Sequence, residues 1–187
     1  EVEKMELNKK PLAFHIKENL QPENKKILQA SCCILAMGSS PKVLEVPGLR
    51  DFLGQGVSFC ALCDGGLYRG QTVAVIGNGD AAVHEALYLS KLAKAVFIFL
   101  KYDQFKTEDL QKLNALKAQA NVTILPQARI TKVLGQADKL QGVAYEQGQR
   151  QKELAVDGVF LAIGSAPNTS LVKGQIKLDK AGYIALN

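Results

Sequence analysis

Apolar positions along this chain follow two periods, and between Gln71 and Leu125 they alternate. Gln71 to Ile76 is an apolar run of strand length. Ala82, Val83, Ala86, Leu87 and Leu89 to Leu92 then recur at helical spacing, so a helix is expected from Asp80 to about Ala93. Ala95 to Leu100 reads as a second strand. Thr107-Glu108-Asp109 carries a capping hydroxyl and first-turn acids, so another helix starts there, with Leu110, Leu113, Leu116 and Ala120 as its buried face. Asn121 closes it, and Val122 to Leu125 is a third strand stopped by Pro126. Strand, helix, strand, helix, strand is the order of a doubly wound parallel half-sheet.

The pattern changes after Pro126. Arg129 to Leu134, Leu140 to Glu146 and Gln151 to Val156 are short alternating runs separated by glycine and polar turns, as in an antiparallel meander. Gly158 to Ile163 is uniformly apolar and is expected to return to the parallel sheet. Before Gln71 the elements are shorter. Pro11 to Ile16 is strand-like, 21–24 is a turn by composition, and Lys26 to Met37 reads as a longer, buried strand ended by Gly38-Ser39-Ser40-Pro41. Val46-Pro47-Gly48 is a turn, and Leu49 to Gly56 reads as a linker. The fold class is therefore α/β: a doubly wound, Rossmann-like domain with an antiparallel meander and a β-rich remainder.

Composition adds limits. Of 187 residues, 47% are apolar and 22% charged, values of a soluble globular protein. The formal charge of +5 comes without a basic run interleaved with aromatics, which argues against nucleic acid. No apolar run approaches the ~20 residues of a membrane span. The opening Glu-Val-Glu-Lys has neither a signal-peptide core nor an initiator methionine, which fits a fragment or a processed chain. Four cysteines do not make a secreted disulfide framework. Cys32 and Cys33, adjacent in an apolar strand, read as packing residues. A reducing, cytoplasmic compartment is expected.

Two motifs carry chemistry. Cys60-Ala61-Leu62-Cys63 is a C-x-x-C pair followed by Asp64. It suits a redox disulfide, because cysteines at that spacing close a small ring where a helix begins. Half a zinc site and two inert thiols are the alternatives. Zinc wants four ligands, and no second C-x-x-C or H-x-x-H is present. Asp64 suits a proton donor to a thiolate, or equally a cap or turn residue.

The second motif is Gly77-Asn78-Gly79-Asp80-Ala81-Ala82, between a strand and a helix. Gly77 would allow the tight turn, Gly79 the approach of a pyrophosphate, and Ala82 close helix-to-strand packing. An ordinary strand-to-helix turn is the plain alternative. At the end of the second strand, Lys101, Tyr102 and Lys106 stand where a dinucleotide's ribose is read, as a phosphate grip or as a solvated loop. His84 and His15 are assigned no role.

On these residues the chain resembles the small flavin-dependent thioredoxin reductases, including the related reductase of alkyl hydroperoxide peroxiredoxins. The likeness is carried by Cys60 to Gly65, Gly77 to Ala82 with Glu85 to Leu87, Ile34 to Ser39, and Ala162 to Thr169. It implies that residues 1–47 close the first half of an FAD domain, 48–167 form the NAD(P)H domain with the dithiol, and 168–187 start the second FAD segment. The glycine turn for FAD is missing before Gly38, so the chain looks like the middle of a reductase and is expected to be inactive alone.

For the whole enzyme the resemblance implies electron flow from NADPH through FAD to Cys60–Cys63, and on to thioredoxin or a similar small disulfide protein. Cys63 would face the flavin, Cys60 would attack the partner and Asp64 would donate the proton. Ile163 and Gly164 would lie beside the dinucleotide. A homodimer is implied. Family members carry a histidine and arginines where this chain has Leu100, Lys101, Tyr102 and Lys106, which leaves NADH possible. An NADH-dependent peroxiredoxin reductase and a non-catalytic nucleotide-binding module are the alternatives.

Overall fold

A computed structural model describes residues 1–19 and 23–186. Gln21 and Pro22, where the turn at 21–24 was expected to begin, lie outside the described residues. In chain order the strands are β1 (Val2–Glu6), β2 (Leu12–Lys17), β3 (Lys25–Ala30), β4 (Ser39–Pro41), β5 (Val57–Ser58), β6 (Thr72–Ile76) and β7 (Ala95–Phe99). They continue with β8 (Val122–Leu125), β9 (Ala128–Gln136), β10 (Lys139–Gln147), β11 (Arg150–Ala155), β12 (Gly158–Leu161) and β13 (Ser165–Pro167). The helices are α1 (Ala61–Asp64), α2 (Asp80–Leu89) and α3 (Leu110–Lys117). Two compact units result, Pro41–Gly164 and Glu1–Ser40 with Ser165–Asn187.

The Pro41–Gly164 unit is built on a parallel sheet in the order β5-β12-β6-β7-β8. Strand alternation divides its side chains between two cores. Val73 and Val75 of β6, Val96 and Ile98 of β7, and Phe160 of β12 pack with Val83, Ala86 and Leu89 of α2 and Leu116 of α3. The neighbours Ala74, Ile76, Phe99, Val159 and Leu161 face the other way and pack with Ile130, Val133, Val143 and Tyr145 of the meander. The meander, in the order β11-β10-β9, thus covers the face that α2 and α3 leave open. The expected strands and helices of this unit are present, their ends shifted by a few residues.

Several details differ from the sequence reading. Leu49 to Gly56 is not a loose linker. A 3-10 turn at Arg50–Phe52 drives Leu49 and Phe52 into the meander core, where both are buried. The helix after Thr107 begins later, because the Asp109 carboxylate accepts from the Lys112 N–H at 3.0 Å and takes the cap. That places Leu110 in the first turn, 63% exposed, and puts Ala120 beyond the end of α3, also exposed, so only Leu113 and Leu116 of the expected face are buried. Asn121 closes the turn by donating to the carbonyls of Ser90 and Ala93 at 2.9 and 3.0 Å.

The other unit holds the antiparallel sheet β1-β2-β3 and the short pair β4-β13. Gln175 ties its segments together, accepting from Leu7 N–H at 2.7 Å and donating to the Met5 carbonyl at 2.9 Å. The longer strand expected from Lys26 to Met37 stops at Ala30. Ala30 pairs with Leu12, the first residue of β2, so the ladder has no partner for Ser31. Cys32 and Cys33 are therefore exposed thiols, not packing residues, and Ile34 is 95% exposed.

Tyr68 is a bracket inside the first unit. Its ring meets Phe160 edge-on at 5.3 Å, and a Cβ on Gly158 would lie 2.3 Å from its Cε1. Gly158→Ala should therefore cost about 1–3 kcal/mol by overpacking, seen as a lower urea midpoint. An unchanged midpoint would show that the Tyr68 ring yields freely.

Candidate nucleotide cleft and dithiol

Parallel strands bring their carboxyl ends to one edge, and ligands of open α/β sheets sit there where the strand order switches direction. In this sheet the chain runs outward from β6 through β7 to β8, while β12 lies on the other side of β6. A cleft of about 700 Å³ opens at that point. Gly77, Asn78, Gly79, Asp80 and Ala81 form one wall, and Ala162, Ile163 and Gly164 form another.

Two glycines have distinct tasks. Gly77 has φ +152, and a Cβ on it would lie 2.2 Å from the Ala162 carbonyl oxygen, so no side chain fits. Gly79 has the ordinary φ of −96 and precedes α2 as its N-cap. A Cβ there would meet only the Lys106 carbonyl at 4.0 Å, so the space above it is open. The first N–H groups of a helix lack intrahelical acceptors and favour an anion. Ala82 does not line the cleft. It is fully buried against β6 and allows α2 to approach the strand. Asp80 opens the helix, and its carboxylate accepts from the Thr107 hydroxyl.

The loop after β7 forms the cationic wall. Lys106 N–H donates to the Asn78 carbonyl at 2.6 Å, pinning the loop to the glycine turn. The Lys106 and Lys101 ammonium groups lie 4.4 and 5.6 Å from the Tyr102 ring centroid. Lys42 and Arg129 add two further cations to the lining, and no motif near either one signals it. Lys42 arrives because its N–H donates to the Gly164 carbonyl at 2.9 Å.

The C-x-x-C pair lies at the same edge. Cys60 follows β5, and its sulfur is bonded to that of Cys63, with the Cα atoms 5.3 Å apart. Cys60 is the N-cap of the single-turn α1, and Cys63 N–H donates to Cys60 Sγ at 3.1 Å. Cys60 is half-buried and Cys63 exposed. Ser58, a residue that sequence reasoning passed over, organises the turn. Its buried hydroxyl donates to Asp64 Oδ2 at 2.6 Å and accepts from the Cys60 N–H at 3.0 Å. Asp64 is thereby held within one turn of the disulfide. Among the described residues, no three His, Cys, Asp or Glu side chains are grouped to hold a metal ion. His84 sits on the surface beside Lys112 and Asp109, at 3.1 and 3.5 Å.

In chemical terms, this edge can take a phosphate-bearing ligand at one end and open and close a disulfide two strands away. That pairing defines proteins that move electrons between nucleotides and thiols. Residues 1–187 match the family described as pyridine nucleotide-disulphide oxidoreductase, and the chain belongs to that family.

Named relatives include a thioredoxin reductase of Coxiella burnetii, 39% identical over 81% of this chain and 48% of the relative. A glucosaminate ammonia-lyase of Pseudomonas fluorescens is 42% identical over 82% of this chain and 48% of that protein. Among solved structures, the thioredoxin reductase of Lactococcus lactis superposes with a TM-score of 0.84 at 28% identity. It covers all of this chain and 60% of its own. The chain spans about half the length of the curated relatives it matches. No described helix is long and apolar enough to cross a membrane.

Glu85 is the one strongly perturbed acid of α2. Burial raises its carboxyl from 4.5 to about 7, and its buried Oε2 has no hydrogen-bond partner among the described residues. The folded chain therefore holds a proton that the unfolded chain releases. Stability tied to the neutral carboxyl is complete below about pH 4.5 and is lost as pH rises through about 7. Glu85→Gln should narrow the difference in urea midpoint between pH 5 and pH 8, chiefly by raising the pH 8 value. A difference as large as that of the wild type would contradict this assignment.

Proposed function

We propose that this chain is the nucleotide-binding, dithiol-bearing part of a thioredoxin-reductase-type flavoenzyme. The observation that carries this reading is the shared sheet edge. The Cys60–Cys63 disulfide follows β5 and the Gly77 turn follows β6, with β12 between them. At normal strand spacing that is a separation of roughly 10 Å along the edge.

The residues of the cleft fit a dinucleotide. Gly77 to Ala81 would hold the pyrophosphate on backbone N–H groups, and Ile163 and Gly164 would flank the nicotinamide half. Lys101, Tyr102 and Lys106 would meet the adenosine end, where the positive charge of the two lysines favours NADPH. NADPH supplies a hydride, which is two electrons and one proton. Reduction of a disulfide to a dithiol takes two electrons and two protons, and Asp64 would hand on the second.

FAD stands differently. Among the described residues the glycine turn at Gly77 is the one between a parallel strand and a helix, and the Glu1–Ser40 and Ser165–Asn187 segments build no second pyrophosphate cradle. The chain's own residues thus do not fit the flavin. We assign its binding to a protein of the relatives' length, which would act as a cytoplasmic homodimer. There the reduced Cys60 thiolate would attack the disulfide of thioredoxin or a similar protein, and Cys63 would resolve the mixed disulfide.

The open space above Gly79 makes a sharp test. Gly79→Ala should leave the urea midpoint nearly unchanged while weakening NADPH binding on the order of tenfold or more, measured by calorimetry. Equal binding by variant and wild type would move the pyrophosphate elsewhere. Tighter binding of NADH than NADPH by the wild type would favour the peroxiredoxin-reductase reading. In a full-length protein, Cys60→Ser or Cys63→Ser should abolish reduction of a protein disulfide, and retained reduction in either would rule out a redox role for this pair.

A further inference from the structure

The loop after β7 lacks the arginine fork that best matches a phosphate monoester, since its cations are both lysines. An arginine reaches the same cleft from another element. The Ala128 N–H donates to the Leu100 carbonyl at 2.9 Å, and the Gln127 N–H to the Tyr102 carbonyl at 3.3 Å. These two bonds fasten the start of β9 to the end of β7. Strand alternation then settles which side chain turns outward. Ala128 and Ile130 are buried in the meander core, and Arg129 between them is exposed and lines the cleft with Lys101, Tyr102 and Lys106.

Arg129 is also pre-oriented. It stands opposite Glu146 in the β9–β10 ladder, and its Nη2 donates to Glu146 Oε2 at 2.8 Å. Among the described residues its Nε and Nη1 have no hydrogen-bond partner. One edge of the guanidinium is thus anchored, while the remaining donors stay free for an anion.

Resting on the dinucleotide reading above, we propose that Arg129 recognises the 2′-phosphate of NADPH, so that this chain draws its phosphate-reading guanidinium from the meander. The lysines then supply charge without bidentate geometry, and Glu146 acts as a positioning residue that orients Arg129.

Calorimetric titration of the chain with NADPH and with NADH separates the possibilities. Arg129→Ala should weaken NADPH on the order of tenfold and leave NADH within about twofold, because one charge-assisted contact made only by the 2′-phosphate is lost. Arg129→Lys should recover only part of the loss. Glu146→Gln should weaken NADPH less than Arg129→Ala and also spare NADH. The exposed position of Arg129 makes an unaltered urea midpoint the expected folding control.

Equal losses for both nucleotides, full recovery with lysine, or unchanged NADPH binding in Arg129→Ala would each overturn the proposal while leaving the dinucleotide site intact. Failure of the wild type to bind either nucleotide at millimolar concentration would remove the dinucleotide reading itself, and this proposal with it.

Discussion

The contact between the turn at Gly77 and the end of β12 shapes the cleft at the sheet edge. β6 and β12 are adjacent parallel strands, and their backbones stay close past the last ladder bond, where Ala162 N–H donates to the Ile76 carbonyl at 2.8 Å. The room left is too small for a methyl group beside the Ala162 oxygen. Only a glycine with positive φ turns the chain there, and that turn aims the start of α2 at the sheet edge. The same closeness brings Ile163 and Gly164 across from Gly79. One backbone approach therefore fixes both walls of the cleft, before any side chain contributes.

Legibility from sequence followed the range of the forces involved. The apolar runs of β6, β7 and β12 were readable because each strand is packed on both faces, and burial leaves few residue types acceptable at any position. The glycine turn and the C-x-x-C pair are contiguous, so their chemistry shows in a short window. Lys42, Ser58 and Arg129 were not readable. Lys42 and the start of β9 reach the cleft through backbone bonds to distant segments, Lys42 to Gly164 and Ala128 to Leu100, whereas Ser58 acts within its own turn, on Cys60 and Asp64, through bonds that no motif signals.

The errors have the same origin. The stretch from Lys26 to Met37 is apolar enough for a strand, yet a strand needs a neighbour, and β2 supplies one only as far as Ala30. Leu110 fits the helical period of Leu113 and Leu116. The choice of Asp109 over Thr107 as the cap decides that it starts the helix, and that choice rests on one side-chain bond to Lys112 N–H. Leu49 and Phe52 look like linker residues between glycines, and only the meander beneath them makes them core.

The disulfide turn is held by very little structure. α1 is a single turn, too short to contribute a substantial dipole, so the environment of the sulfurs is set by individual groups. Cys63 N–H points at Cys60 Sγ, and Ser58 links the Cys60 backbone to the Asp64 carboxylate. The Asp64 carboxylate, tethered through the Ser58 hydroxyl, is held in place by one of its two oxygens. Tyr68 lies nearby, its phenol pushed up first by burial and then by the charges of Asp64 and Asp157, so it stays neutral beside the acid. The sheet thus presents at one edge a glycine turn shaped by backbone and a short disulfide turn tied by side chains. Placing them two strands apart lets each keep the conformation its task requires.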